Sequence, residues 1–453
     1  MAIPESTAFL TDMYELTMLK SSLANGTAHR RSVFELFGRR LPSTRRYGVV
    51  AGTGRVLDAV ENFTFSSQQI DWLAARSFLD DATLDYLRDF RFTGNIRGYA
   101  EGECYFPGSP LLVVEGTFAE AVLLETVLLS IYNYDCAVAS AASRMTTAAH
   151  GRPCLDMGAR RTNEYSAIAA ARASVVGGFV GTSLLEAGLQ YEIPTIGTSA
   201  HSFTLLHDSE EDAFAAQIAA LGPGTTLLVD TYDVTRGVER AVAAARAAGG
   251  ELGAVRLDSG DLVAQAFKVR EQLDALGATS TKITVTSDLD EYAIAALGAA
   301  PVDSYGVGTR LVTGSGVPTA ALVYKLVARE DDEGVMQDVA KFSGQKKTVG
   351  GQKLAGRVSA DGRATEELIV SFDEPGQAQR ALSEAGARPL HVDLVKGGNI
   401  VEEHRGPGAL RVAAQRHKAS RAELPYDGWR LSEGEPAIPT RHLDLSSSTA
   451  VQR

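Results

Sequence analysis

Between residues 154 and 306 short apolar runs recur, each ending in Gly, Asp or Ser and each leading toward a helical stretch. The runs occupy 154–158, 178–181, 193–197, 226–230, 254–258, 283–287 and 302–306. Continuous apolar runs of this length suit strands buried on both faces, and such strands pack in parallel when helices cover the sheet. The intervening helices carry their own signals. Ser209 with Asp212 three residues on marks one start, Phe214, Ile218 and Leu221 line one face, and Gly222-Pro223 stops it. A second helix is expected over 235–248, ending at Gly249-Gly250. A third starts at Asp261 and stripes Leu262, Ala266, Val269 and Leu273. Strand–helix units at a spacing of roughly 20 to 30 residues predict an irregular parallel (β/α) barrel. An open doubly wound sheet is the alternative, but no G-x-G-x-x-G follows the first run.

At 453 residues the chain exceeds one ordinary core. The fold class expected is α/β: an irregular barrel over 121–320 carrying the site, beside an α/β sandwich domain. The sandwich is begun by residues 1–120 and joined by a strand-rich segment over 321–442, with 443–453 a frayed tail. In the N-terminal part, 9–24 reads as a helix striped by Met13, Leu16, Leu19 and Leu23, and ended by Asn25-Gly26. Residues 31–37 alternate as a half-buried strand. A long helix is expected over 120–150.

A net charge of −12 and a pI near 5.3 argue against a nucleic-acid surface, while leaving room for a local basic pocket. Cys104, Cys136 and Cys154 lie far apart and read as buried thiols in a reducing compartment. The start of the chain lacks a signal-peptide pattern. Its most apolar window, 119–143, contains Glu120, Glu125 and Asp135, so no membrane span and a cytoplasmic location are expected.

A barrel of this kind collects reactive groups at its strand ends. His201 follows the Gly197-Thr198-Ser199 turn and stands either in the crevice or as a cap of that turn. Arg160 and Arg161 offer guanidinium forks for a carboxylate or phosphate, or a surface ion pair. Phe179 is either an aromatic face or core. Asp230 and Asp258 end successive runs and suit Mg²⁺, which takes oxygen ligands and keeps waters. Asp261 reads as a helix N-cap. Gly306 and Gly308, with Thr309, form a candidate phosphate cradle. The set suits a flat anionic heterocycle meeting a phosphorylated sugar.

Seven segments in order carry a resemblance: 11–18, Gly158-Ala-Arg160-Arg161, Gly197-Thr198-Ser199-Ala-His201-Ser-Phe203, 229–233, Arg256-Leu-Asp258-Ser259-Gly260-Asp261, and Thr286-Ser-Asp288-Leu-Asp290 with Gly306-Val-Gly308-Thr309. Together they resemble nicotinate phosphoribosyltransferase, of the type II phosphoribosyltransferases. Residues 341–353 resemble the family's later Lys-x-Ser segment. The resemblance implies a homodimer with shared sites that joins nicotinate to phosphoribosyl pyrophosphate (PRPP), giving nicotinate mononucleotide and pyrophosphate in NAD salvage. ATP is the co-substrate and Mg²⁺ the cofactor. It implies that His201 is phosphorylated and that Arg160 holds the nicotinate carboxylate with Arg161 close by. Phe179 would stack on the pyridine, opposite Tyr14 from the partner, with Thr198 and Ser199 also at the nicotinate site. Asp230 and Asp258 would sit near Mg²⁺ and pyrophosphate. Arg256, Ser259, Gly260, Asp288, Gly306, Gly308 and Thr309 would line the phosphoribosyl site. Two positions depart from the pattern: Met157 where an aromatic residue commonly precedes Gly-x-Arg, and Gly350 where proline is usual.

The nearest rival is the nicotinamide-specific relative, against which the Gly-Ala-Arg-Arg pair and the Gly-Thr-Ser-Ala-His spelling speak. A non-catalytic nucleotide-binding homologue is disfavoured because every charged candidate is retained. A Schiff-base lyase is disfavoured because no lysine ends a run between 154 and 306.

Overall fold

The computed structural model describes residues 6–343, 346–347 and 349–446. The chain divides into two compact units, one of 1–140 with 319–453 and one of 141–318. The first division falls inside the helix Glu125–Ala148 rather than after residue 120. The 120–150 stretch is two helices, Phe118–Leu123 and Glu125–Ala148. Thr117 and Glu120 form a capping box at the first start.

In the first unit a seven-stranded sheet runs in the order Met336–Asp338, Leu322–Glu330, Arg31–Gly38, Pro110–Thr117, Asn95–Tyr99, His391–Lys396, Asn399–Ile400. Strands from both ends of the chain therefore share one sheet. Arg31–Gly38 lies between two antiparallel partners and is buried at every position after the first. Its alternation predicted one wet face. Packing on both faces overrides that pattern, and Glu35 is accommodated by the buried Lys353, whose Nζ lies 2.9 Å from its carboxylate. A four-stranded sheet of Arg388–Pro389, Gln352–Ala360, Arg363–Phe372 and Thr440–Asp444 packs against the helix Pro375–Glu384. Leu443 and Asp444 pair with Val370 and Ser371, so the expected frayed tail is a strand there, and 447–453 lie outside the described residues. The 341–353 segment is described only in part, since 344, 345 and 348 lie outside as well.

The second unit holds six parallel strands, in the order Gly181–Thr182, Cys154–Asp156, Ser304–Val307, Lys282–Ser287, Ala254–Leu257, Thr226–Leu228. It is an irregular (β/α) half-barrel. The helices Glu210–Leu221 and Leu262–Ala275 begin at Ser209 and Asp261, whose side chains accept from the Asp212 and Ala264 N–H groups. Asp233 caps Val234–Ala247 in the same way. The expected run at 193–197 is not a strand. Pro194 can donate no N–H, and the segment contributes one bridge, between Thr195 and Thr182. The strand expected at 178–181 begins only at Gly181, because Gly178 turns the chain at φ +101°.

The three cysteines are buried free thiols, with burial pushing the Cys104 and Cys154 thiols up to about 12. Among the described residues no helix is long and apolar enough to cross a membrane.

Candidate active site

The carboxyl ends of four neighbouring strands in the second unit open onto a cavity of about 210 Å³. Its lining combines Arg160, Arg161, Arg256, Asp258 and Asp288 with Met157, Thr286, Ser287, Gly306, Gly308 and Thr309. Local packing fixes this arrangement. Asp156, at the end of Cys154–Asp156, accepts from the Gly158 N–H at 2.8 Å and from the Thr182 hydroxyl at 2.7 Å, which bends the chain into the Ala159–Arg161 turn. A Cβ on Gly158 would lie 2.3 Å from Val312 Cγ1, so only glycine lets that turn close against the Gly308 segment. The Met157 N–H donates to the Val307 carbonyl at 2.8 Å. A Cβ on Gly306 would come within 2.7 Å of Met157 Sδ, so Gly306 makes room for the thioether.

The carboxylates sit on the next strands along. Asp230, with a side chain 1% exposed, accepts through Oδ2 from the Asp258 N–H at 2.8 Å and the Ser259 hydroxyl at 2.9 Å. Its Oδ1 is buried and meets no hydrogen-bond donor. Asp258 accepts from the Thr286 hydroxyl. His201, 41% exposed, places Nε2 4.0 Å from Asp230 Oδ1 and 3.9 Å from Asp258 Oδ2, with Nδ1 3.1 Å from Thr231 Oγ1. It is the first residue of the helix His201–Leu205 and reaches the crevice rather than capping the preceding turn.

Arg256 donates to the Ser199 carbonyl at 3.1 Å, and its Nε is buried without an acceptor. Burial pushes its guanidinium pKa down, Asp258 and Asp230 oppose that, and Arg160 adds to it. The cavity therefore sets guanidinium groups and carboxylates side by side, an arrangement for holding anions beside a cation. Two carboxylates, one with an unengaged buried oxygen, fit Mg²⁺ that keeps its waters and takes substrate oxygens. Among the described residues no group of three or more His, Cys, Asp or Glu forms a closed metal cage.

The remaining expected residues divide. Ser259, Gly260 (φ +82°) and Thr198 are exposed at the crevice loops, and Ser199 is half-buried. Phe179 is only 2% exposed and does not line the cavity. A ring sealed in the core offers no face to a pyridine, so the stacking expectation is corrected. Asp261 is the N-cap anticipated for it. Tyr14, half-exposed on the helix Met13–Ala24, belongs to the first unit. Thr231 and Thr286, which position His201 and Asp258, were not singled out from the sequence. Both lie within the 229–233 and 286–290 segments, and their signal is a hydroxyl beside a functional carboxylate.

The fold and the cavity define an α/β half-barrel enzyme built to hold anions at its strand ends. Comparison with known proteins narrows the class. Residues 9–133 match the nicotinate phosphoribosyltransferase (NAPRTase) N-terminal domain. A nicotinate phosphoribosyltransferase of Mycobacterium tuberculosis is 54% identical over 96% of this chain and 95% of its own length. One from Bacillus subtilis is 36% identical over 86% and 81%. The crystal structure of human nicotinic acid phosphoribosyltransferase superposes with a TM-score of 0.79 at 26% identity, covering 95% of this chain and 97% of that one. A nicotinate-nucleotide pyrophosphorylase from Pyrococcus furiosus shares the fold, with a TM-score of 0.74 at 22% identity. The chain belongs to the nicotinate phosphoribosyltransferase family.

Proposed function

We infer that this chain joins nicotinate to PRPP, giving nicotinate mononucleotide and pyrophosphate in NAD salvage. The observation that carries the reading is the cavity itself: three arginines, a glycine-rich loop and a pair of carboxylates at parallel strand ends, in a chain of this family. The ring nitrogen of nicotinate is the nucleophile at the anomeric carbon, and pyrophosphate leaves. Positioning therefore matters more than a general base. Arg160 and Arg161 take the nicotinate carboxylate, and their fork geometry discriminates against an amide. Thr198 and Ser199 border the same end. Met157 offers the apolar surface that Phe179 does not, since sulfur packs favourably on aromatic rings. Tyr14 reaches the pyridine from a second copy of the chain.

Arg256, Ser259, Gly260, Asp288, Gly306, Gly308 and Thr309 hold the phosphoribosyl group, with Arg256 Nε free to donate to its oxygens. Asp230 and Asp258 would hold Mg²⁺, which would offset the charge that develops on pyrophosphate. His201 takes the γ-phosphoryl group of ATP: a ring nitrogen bonds to phosphorus as the bond to the ADP oxygen breaks. The Thr231 hydroxyl fixes the ring. This couples ATP hydrolysis to synthesis without a covalent bond to the sugar. The enzyme works as a cytoplasmic homodimer. Leu185, Leu189, Leu205 and Leu206 are strongly exposed on and beside the helices Leu185–Tyr191 and His201–Leu205, apolar surface of the kind a partner covers.

The test is a product assay with PRPP and Mg²⁺, comparing nicotinate with nicotinamide, each with and without ATP. Nicotinate mononucleotide forms, and forms faster with ATP. Turnover of nicotinamide alone would refute the role of Arg160 and Arg161. An unchanged rate with ATP would refute the phosphohistidine, and no turnover of either substrate would restore the binding-protein reading.

A further inference from the structure

The first unit contains a cavity of about 610 Å³ that the reaction does not use. It lies among the helix Pro375–Glu384, the strands Gln352–Ala360 and Arg363–Phe372, and the strand His391–Lys396. Pockets of this size commonly take small organic ligands. Arg97, on Asn95–Tyr99, faces it with an incompletely satisfied guanidinium. Its Nη1 is engaged by Glu115, whereas Nε and Nη2 are buried and meet no acceptor. Those two nitrogens form one edge of the guanidinium plane, the edge that grips a carboxylate or phosphate through two parallel hydrogen bonds. Leaving two buried charged donors unmatched is costly, so the position calls for an oxygen-bearing partner.

The other walls set apolar groups beside Gln379 and Ser383. The Phe372 ring lies 6.0 Å from the Arg97 guanidinium, and Leu354, Leu382 and Pro389 complete that side. His391 also lines the cavity, but as a neutral ring: Nε2 donates to the Pro110 carbonyl at 2.8 Å and Nδ1 accepts from the Ala355 N–H at 3.3 Å. Burial holds its pKa down at about 3, in agreement with that bonding. Asp393, the carboxylate on the lining, is already paired with Lys396 at 2.8 Å.

We propose that this cavity binds a small anion carried on a planar ring, with the carboxylate or phosphate on the Nε/Nη2 edge of Arg97 and the ring against His391 and Pro389, which both line the cavity. It is a second ligand site, separate from the half-barrel cavity in residues and in unit.

Calorimetric titration of the full chain with benzoate and with AMP, using inorganic phosphate as a ring-less control, tests it. One ring-bearing probe is expected to fill a site that Arg97→Gln weakens by about tenfold or more, the loss of a charged two-point contact. Ser383→Trp, on the exposed side of the helix at the cavity wall, weakens the same site to a similar degree with nicotinate turnover unchanged. This second variant leaves the Arg97–Glu115 pair intact, so loss of binding in it cannot be attributed to misfolding around Arg97. A preference for benzoate would identify a carboxylate ligand, and a preference for AMP a phosphate. Binding of neither probe, binding unaltered in Ser383→Trp, or phosphate binding as tightly as the ring-bearing probes would overturn the proposal.

Discussion

Replacing Asp230 by asparagine separates the structural from the chemical work of one buried carboxylate. The substitution keeps the shape. The amide oxygen can still accept from the Asp258 N–H and the Ser259 hydroxyl, now 2.8 and 2.9 Å from Oδ2. What is lost there is charge assistance, worth about 1 kcal/mol per bond and partly offset because a neutral amide is cheaper to bury. Stability is therefore expected to fall by about 1 kcal/mol, read as a melting shift of about 2–4 °C. The chemical consequence is larger. The amide NH₂ takes the place of Oδ1, 4.0 Å from His201 Nε2. A unit charge at that distance acts with about 4 kcal/mol at an effective dielectric of about 20, and the half-exposed ring reduces this to about 2 kcal/mol. Two kcal/mol is about 30-fold in rate. Formation of nicotinate mononucleotide, measured with and without ATP, should show the ATP-stimulated rate down by about that factor or more, with the ATP-independent rate lowered as well, since the same carboxylate would help hold Mg²⁺ on the leaving pyrophosphate. An ATP-stimulated rate within about threefold of the parent would refute the electrostatic argument. A melting point lowered by more than about 10 °C would show that the carboxylate is structural instead.

The other expectations concern separate residues. Arg160→Ala and Arg161→Ala should each raise the KM for nicotinate, by about tenfold to a hundredfold for the one that grips the carboxylate and much less for its neighbour; equal, small effects in both would exclude the fork. Phe179→Leu should lower the melting point by the cost of a partly emptied core site, about 1–2 kcal/mol, and leave the KM for nicotinate unchanged, whereas Met157→Ala should raise that KM. Glu15 is pushed from its ordinary 4.5 to about 8, first by burial, with the Thr126 hydrogen bonds opposing and Glu125 and Asp12 adding. The folded chain thus keeps a proton that the unfolded chain releases, so this group's contribution falls as pH rises from 4.5 to about 8 and then levels off. Glu15→Gln should flatten that slope in melting curves taken across the window; an unchanged slope would place the proton elsewhere.

Much of the half-barrel was legible because buried parallel strands and capped helices write continuous signals. The apolar run at 254–258 and the Asp261 cap needed only neighbours in sequence. The segment at 193–197 misled because a short apolar run does not by itself secure partners, and Pro194 withholds one of the donors that pairing needs. Phe179, open in the sequence between an aromatic face and core, falls to the core where the strand starts at Gly181, three residues later than 178. Arg31–Gly38 looked half-wet because its alternation is real, but the sheet has packing on both faces and answers Glu35 with Lys353 from far along the chain. Long-range answers of that kind leave no local trace. Thr231 and Thr286 carry only the weak signal of a hydroxyl beside a carboxylate for a related reason, since a hydroxyl becomes a positioning group only when a carboxylate or imidazole is folded against it.

The irregularity of the half-barrel is what gives His201 its place. A regular strand over 193–197 would spend its N–H and C=O groups on ladders with both neighbours. Here the segment spends them on a single bridge to Thr182, made by Thr182 N–H to the Pro194 carbonyl at 3.0 Å and Ile196 N–H to the Thr182 carbonyl at 2.9 Å. The chain beyond is then free of the sheet. The Ser199 carbonyl can accept from Arg256, and the helix His201–Leu205 can begin two residues later. That start carries the imidazole to within 4.0 Å of carboxylates on two successive strands. A strand continued through the Gly197-Thr198-Ser199 turn would point residue 201 along the sheet rather than across the crevice. The missing ladder is thus a condition of the site, and restoring it by design should remove His201 from Asp230 and Asp258 together.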